Sequence, residues 1–106
     1  FMSGGRIMFI LTDENFQREV AESKGNCLVE FYASWCSLCR KGLNDLSEFE
    51  RQTGCRTGKA DLQKNTKLLN EFISNGLPHY VFFCDGKPVK RFTGITDLAV
   101  QFGEFL

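Results

Sequence analysis

A pair of cysteines separated by two residues constrains this 106-residue chain more than any other feature. Cys36 and Cys39 follow an apolar run, residues 27–32, that predicts a strand, and they precede a segment with helical periodicity. At the N-terminus of a helix the first backbone N–H groups lack intrahelical partners, so a thiolate at Cys36 is stabilised there. One helical turn brings the two sulfurs close enough for a disulfide to open and close. The pattern predicts thiol–disulfide exchange, with Cys36 as the exposed nucleophile and Cys39 as the resolving thiol.

The same two cysteines could instead supply half of a zinc site, because a structural zinc needs four ligands. The other candidate ligands are His79, Cys27, Cys55 and Cys84, and no second C-x-x-C or H-x3-H pair accompanies them. The strand before the motif and the helix after it favour the redox interpretation over the metal site.

The composition indicates one globular domain and argues against several classes of partner. The chain is 42% apolar, has eleven Phe, and carries 13 basic and 13 acidic residues. Nucleic acids and anionic membrane surfaces both attract a basic surplus, which is missing here, and no apolar run approaches the length of a membrane span. We therefore expect no nucleic-acid partner and no membrane. We interpret residues 6–106 as the domain and residues 1–5 as a disordered end or a cloning remnant.

The cysteine count bears on the cellular compartment. Five is an odd number, whereas secreted disulfide scaffolds usually carry an even set. We therefore expect a cytoplasmic protein, with a periplasmic or exported one as the alternative if a leader was removed. Cys27 and Cys55 would begin neighbouring strands, so a second disulfide between them is an open alternative to two buried thiols, and we expect Cys84 to be reduced.

The predicted elements follow the order β-α-β-α-β-α-β-β-α, which is an α/β pattern. The early alternation favours parallel strands, and Asp85-Gly86 is a strong signal for a late antiparallel hairpin. The predicted strands cover residues 6–11, 27–32, 55–62, 79–84 and 87–92, and the predicted helices begin at Thr12, at Cys36, at Asn65 or Thr66, and at Thr96. The result is a mixed sheet between helices.

The chain resembles the thioredoxin family along nearly its whole length, from about residue 9 to residue 106. The matching segments are residues 28–36, Gly76-Leu77-Pro78, Asp85-Gly86-Lys87 and Thr93-Gly94. The resemblance implies the thioredoxin fold, a central mixed sheet of parallel strands plus a C-terminal antiparallel hairpin, with helices on both faces. It also implies a thiol–disulfide oxidoreductase that reduces protein disulfides, needs no cofactor in the domain and receives electrons from an external disulfide reductase. We expect a monomer.

The resemblance also assigns residues that would bind substrate. Pro78 would be a cis-proline beside the disulfide, and Leu77 would offer its backbone to an extended substrate. Trp35 would flank the nucleophile, and Gly94 would lie close to the groove. His79 stands where the family usually has threonine and would lie near the sulfurs, where an imidazole could stabilise a thiolate, act as a base or serve as a ligand.

Glu30 matches the position of a buried aspartate of the family, and Lys59 matches the lysine that accompanies it. A carboxylate in an apolar strand is costly when ionised, so the pKa of Glu30 should be raised. Such a group behind Cys39 could take and return the proton of that thiol. The alternative is a structural pair of Glu30 and Lys59 without a proton role.

The chain departs from the family between its two cysteines, where Ser37-Leu38 replaces Gly-Pro. This dipeptide influences the redox poise, and losing the proline should make the disulfide more oxidising than in thioredoxin. A disulfide oxidase or isomerase of an exported compartment is therefore one alternative function. A metal- or cluster-binding module using Cys36, Cys39 and His79 is another, and a non-enzymatic interaction domain is a third.

Overall fold

The computed structural model describes residues 8–72 and 75–106, and its elements follow the predicted order. The strands are β1 (Phe9–Leu11), β2 (Asn26–Tyr32), β3 (Arg56–Asp61), β4 (His79–Cys84) and β5 (Lys87–Thr93). The helices are α1 (Ser37–Thr53), α2 (Thr66–Glu71) and α3 (Leu98–Phe102), with a π-helical segment at Gln17–Ala21 and a 3-10 turn at Gly103–Phe105. The terminal segment 1–5, and the predicted start of the first strand at Arg6, lie outside the described residues.

The strands form one sheet in the order β1-β3-β2-β4-β5, with β2 in the centre. β3 pairs in parallel with β1 and β2, whereas β4 pairs antiparallel with β2 and β5. Asp85 and Gly86 both have positive φ, 51° and 82°, as a tight β4–β5 hairpin requires. Pro88 lies on the edge strand β5 beside a register shift, where a missing N–H is tolerated. The predicted mixed sheet is confirmed.

Each face of the sheet carries its own apolar core, because side chains of a strand alternate between faces. One core lies under the π-helical segment and α2 and contains Leu11, Phe16, Val20, Cys27, Val29, Phe31, Ala60, Leu62, Leu68, Phe72, Val81 and Phe83. The other lies under α1 and α3 and contains Leu28, Leu46, Phe49, Cys55, Tyr80, Phe82, Leu98 and Phe102. The central strand β2 is thus covered on both sides, and it leads directly to the cysteine pair.

The first predicted helix is present but short, and its regular part is the π-helical segment. Thr12 begins it as predicted, since Asn15 N donates to Thr12 Oγ1 at 3.2 Å, Thr12 N donates to Asn15 Oδ1 at 2.8 Å, and Phe16 N donates to the Thr12 carbonyl at 3.0 Å. Asp13 does not stabilise a first helical turn of its own segment. Its carboxylate instead accepts hydrogen bonds from the backbone N–H groups of Lys67 and Leu68, at the start of α2.

One further prediction needs correction. The last helix is capped by Asp97 rather than Thr96, because the Asp97 carboxylate accepts hydrogen bonds from Ala99 N and Val100 N. Cys27 and Cys55, which we expected to be either two buried thiols or a disulfide, are buried, are not joined by a disulfide and belong to the two different cores, on opposite faces of the sheet. This placement favours two buried thiols over a disulfide.

Candidate active site

The end of β2 and the start of α1 place the two cysteines together. Cys36 is the residue before the first helical turn and has an extended backbone, with φ −94° and ψ 107°. Its N–H donates to the Ala33 carbonyl at 3.1 Å, and its own carbonyl accepts from Cys39 N at 3.2 Å. Cys39 therefore lies one turn deeper on the helix, close to Cys36. No disulfide joins the two thiols in the structure.

The two thiols differ in their surroundings. Cys36 is 8% exposed and Cys39 is 1% exposed, so Cys36 is the more accessible sulfur but is far less exposed than expected. Burial, the hydrogen-bonding contact with Cys36 and the nearby Glu30 charge raise the pKa of Cys39 to about 12. Cys39 therefore keeps its proton at neutral pH, and its reaction as a nucleophile requires a group that accepts this proton.

Glu30 lies in the middle of β2, fully buried on the α1 side of the sheet. Burial raises its pKa to about 8, the Asp45 charge adds to the rise, and the Tyr80 hydroxyl and the Lys59 charge oppose it. Lys59 is the direct neighbour of Glu30 in the β2–β3 register, but no ion pair joins the two described side chains. The expected raised pKa is present, whereas the alternative of a structural ion pair has no support in these contacts.

An apolar groove runs beside the motif, with a volume of about 330 Å³. The residues that line it are mostly apolar, and we define the groove by them: Ala33, Trp35, Leu62, Leu69, Gly76 and Leu77, with the polar Gln63 and Asn75. Trp35 is 70% exposed, so it is a surface side chain at the groove rather than part of a core. Leu77 contributes to the groove and also packs against the core beneath α2.

Pro78 and Gly94 lie together where β4 begins and β5 ends, next to the groove residue Leu77. The Leu77–Pro78 peptide bond is cis, as the resemblance implied. Gly94 N donates to the Pro78 carbonyl at 2.8 Å, which joins the end of β5 to the proline. Gly94 has a φ of 105°, a conformation that side-chain-bearing residues rarely adopt.

His79 follows the cis-proline but points into a buried region. It is 4% exposed, its Nδ1 lies 2.9 Å from Thr93 Oγ1, and its ring lies 6.4 Å from that of Phe31. Burial and the neighbouring Arg91 charge lower its pKa, so the ring is neutral at pH 7. His79 does not line the groove. Because His79 is buried, its predicted contact with substrate has no support in the structure.

The metal-site alternative used Cys36 and Cys39, with His79 as a further candidate ligand. Across residues 8–72 and 75–106, no three or more His, Cys, Asp or Glu side chains form a group that could hold a metal ion. Cys84 is a half-buried free thiol at the hairpin end of β4. The structure thus brings Cys36 and Cys39 together at the start of α1, with the Glu30 carboxyl group buried against the same helix at Gly42. The described candidate ligands form no metal-binding group around them.

Two residues near Glu30 were missed by the sequence analysis. Tyr80 on β4 and Gly42 on α1 both approach the Glu30 carboxyl group. In the sequence, Tyr80 is one more aromatic residue in an apolar strand, and Gly42 is a weak point in a helix. The strand register that brings them to Glu30 cannot be seen in either segment alone.

Comparisons with known proteins agree with this arrangement. The sequence model of the Thioredoxin family matches residues 7–102. A thioredoxin of Mycobacterium tuberculosis (strain ATCC 25618 / H37Rv) is 35% identical over 86 residues, which cover 79% of this chain and 74% of that protein. The bifunctional thioredoxin reductase/thioredoxin of Mycobacterium leprae is 33% identical over 86 residues, 79% of this chain and 19% of that protein.

A solved structure supports the fold. A mutant thioredoxin from Halobacterium salinarum NRC-1 superposes with a TM-score of 0.82, covering 99% of this chain and 92% of that one at 23% identity. The family match, the identity to the mycobacterial proteins and the adjacent thiols of Cys36 and Cys39 agree with one another. The chain is a thiol–disulfide oxidoreductase and belongs to the thioredoxin family.

Proposed function

We propose that this chain reduces disulfide bonds of other proteins, with Cys36 as the nucleophile and Cys39 as the resolving thiol. The observation that carries the proposal is the difference between the two sulfurs. Cys36 lies at the start of α1, whose first N–H groups stabilise negative charge, and it is the more accessible of the two. Cys39 is buried one turn deeper and holds its proton tightly.

The reaction takes place in two exchanges. The Cys36 thiolate attacks one sulfur of the substrate disulfide, forms a Cys36–substrate disulfide, and releases the other substrate sulfur as a thiolate that takes up a proton. Cys39 then loses its proton and attacks the Cys36 sulfur, which releases the second substrate thiol. The two electrons gained by the substrate leave a Cys36–Cys39 disulfide in the protein.

Glu30 is our proposed acceptor for the Cys39 proton. Its pKa of about 8 lies close to neutral pH, where an acid–base group can both accept and release a proton. The Glu30 carboxyl group lies against α1 at Gly42, one helical turn beyond Cys39, so it is buried on the side of the helix that carries the Cys39 thiol. Lys59, which lies beside Glu30 in the sheet, would favour the ionised carboxylate.

The groove would bind an extended segment of the substrate. Trp35 and Leu77 offer apolar contacts, and Pro78 and Gly94 shape the edge next to them. We propose an indirect role for His79, which joins β4 to β5 through its hydrogen bond with Thr93.

The oxidised protein needs an electron donor, and we propose a separate disulfide reductase. The M. leprae relative carries both thioredoxin reductase and thioredoxin in its name, which suggests that the two activities work together. We propose that the chain acts as a monomer in a reducing compartment such as the cytoplasm. No described helix is long and apolar enough to cross a membrane.

Trapping of the intermediate tests the proposal. We expect Cys39→Ser to accumulate a covalent complex with a disulfide-containing protein such as insulin, and Cys36→Ser to form none, as measured by mass spectrometry. Both variants should lose multiple-turnover reduction with dithiothreitol as electron donor. Cys84→Ser, at a half-buried thiol at the hairpin end of β4, is the control and should reduce insulin at the unaltered rate. A Cys36→Ser protein that still reduces insulin at the original rate would contradict the proposal.

A further inference from the structure

Glu30 and Tyr80 are two buried polar side chains that face each other across the sheet. They are direct partners in the antiparallel β2–β4 register, so their side chains lie on the same face. Both residues are 0% exposed. Among the described residues, neither the Glu30 carboxyl oxygens nor the Tyr80 hydroxyl makes a hydrogen bond of regular geometry, but the two groups are near enough to affect each other's pKa.

Gly42 provides the space in which these two groups meet. A Cβ atom at residue 42 would lie 2.7 Å from Glu30 Oε1, and closer still to Tyr80 Oη. The two oxygens therefore occupy the volume that any side chain at this position would fill. Gly42 is one helical turn beyond Cys39, so both groups lie on the same side of α1.

Unpaired buried polar groups are costly, and native proteins rarely leave two of them side by side. The torsions of a Glu side chain allow its carboxyl group to reach the facing hydroxyl with a small adjustment. We propose that Tyr80 is a positioning residue for Glu30, whose carboxyl group accepts a hydrogen bond from the Tyr80 hydroxyl in the space beside Gly42. This inference rests on the proposed role of Glu30 as the proton acceptor for Cys39.

The surrounding charges agree with a hydrogen bond in which Tyr80 is the donor. Burial and the nearby Glu30 charge raise the pKa of Tyr80, so the phenol keeps its proton throughout the pH range in which Glu30 titrates. The groups around Glu30 are Tyr32 from β2, Asp45 and Cys39 from α1, Lys59 from β3 and Tyr80 from β4. Of these, Tyr80 is the hydroxyl that faces Glu30 in the space beside Gly42, and a donor favours the ionised carboxylate.

The variant Tyr80→Phe tests this bond directly. Removal of the donor should raise the Glu30 pKa from about 8 to about 9 or above, measured by carboxyl ¹³C NMR of the reduced protein with labelled Glu. Glu30→Gln assigns the resonance. Tyr32→Phe is the matched control, because Tyr32 is the other tyrosine and is not among the groups that shift Glu30. A Glu30 pKa that stays at about 8 in Tyr80→Phe would overturn the inference.

A second pair of variants tests the shared space. Gly42→Ala should lower the urea midpoint of unfolding despite the better helix propensity of Ala, because the methyl group meets both oxygens. In the Tyr80→Phe background the closest of these atoms is absent, so the added loss from Gly42→Ala should be smaller. Strictly additive losses would contradict the proposed geometry.

The attack of Cys39 on the mixed disulfide distinguishes a failure of this inference from a failure of the proposed function. With a preformed Cys36 mixed disulfide, Tyr80→Phe should slow release of substrate about tenfold at pH 7, because the ionised fraction of Glu30 falls by that factor. The slowing should diminish as the pH rises through the new Glu30 pKa. If Glu30→Gln releases substrate as fast as the unaltered protein, the proton role of Glu30 fails whatever Tyr80 does. If only Tyr80→Phe has no effect on rate and pKa, the proton role stands and the positioning role fails.

Discussion

Glu30 is a carboxyl group that the sheet removes entirely from water, and its burial links stability to pH. Its pKa is raised from the ordinary value of 4.5 to about 8, mainly by desolvation. The folded state therefore binds this proton more tightly than the unfolded state does. Protonated Glu30 therefore contributes to the unfolding free energy. This contribution is fully present below about pH 4.5 and is lost as the pH rises through about 8.

We predict that Glu30→Gln removes this pH dependence. Relative to the variant, the unaltered protein should lose on the order of 4 kcal/mol of unfolding free energy between pH 4.5 and 8. Urea unfolding of both proteins at several pH values measures the difference, and the comparison cancels the titration of all other groups. Two curves that run parallel across this pH range would show that burial does not shift the Glu30 pKa.

Trp35 combines high exposure with a position at the groove, so its contribution to binding can be separated from folding. We predict that Trp35→Ala changes the unfolding free energy by less than about 0.5 kcal/mol, because the side chain is 70% exposed. The KM for a protein disulfide should rise about tenfold, as expected for loss of an aromatic anchor.

The control for this variant is Val100→Ala, which truncates an apolar side chain that is 71% exposed on α3, away from the groove. It should leave both KM and stability unchanged. An equal change in KM for the two variants would mean that Trp35 does not contact substrate.

At the scale of elements, short helices depend on caps that come from particular side chains. Asp97 accepts hydrogen bonds from Ala99 N at 3.0 Å and Val100 N at 3.3 Å at the start of α3. We predict that Asp97→Ala lowers the unfolding free energy by about 1 kcal/mol, measured in urea. Thr96→Ala, which alters the neighbouring residue, should have a much smaller effect. A larger loss in Thr96→Ala than in Asp97→Ala would instead support Thr96, the cap predicted from the sequence.

The strands were predictable because their signals are local. The apolar run before Cys36, the run after Pro78 and the Asp85-Gly86 turn each specify an element by their own residues. The role of an acidic residue near a helix start was less predictable, because a carboxylate can serve either its own segment or a distant one. Asp13 was expected in the first turn of its own segment, but it stabilises the start of α2, more than fifty residues away in sequence.

At the scale of the whole molecule, the sheet order decides which side chains share a site. The family resemblance was sufficient to predict a mixed sheet, the cis bond before Pro78 and the adjacency of Cys36 to Cys39. Tyr80 beside Glu30 depends on the β2–β4 register, which residues 79–84 alone do not reveal. His79 differs from Tyr80 by one position and therefore faces the opposite side of the sheet, where Phe31 and Thr93 bury it.

The reduction potential of the cysteine pair, a property of the whole molecule, determines the direction of the reaction. The protein reduces a substrate only if its own disulfide is harder to reduce than that of the substrate. Ser37 and Leu38 between the cysteines are both exposed, and they replace the family's Gly-Pro. We expect this change to make the pair somewhat more oxidising than thioredoxin, yet still reducing.

The most direct test is the reduction potential of the Cys36–Cys39 pair, measured by equilibration in glutathione and dithiothreitol buffers with trapping of free thiols. We predict a value between about −270 mV, the potential of thioredoxin, and about −200 mV. A value in that range would fit a reductase of protein disulfides that a separate reductase recycles. A value above about −200 mV would contradict the account and identify the chain as a disulfide oxidase or isomerase.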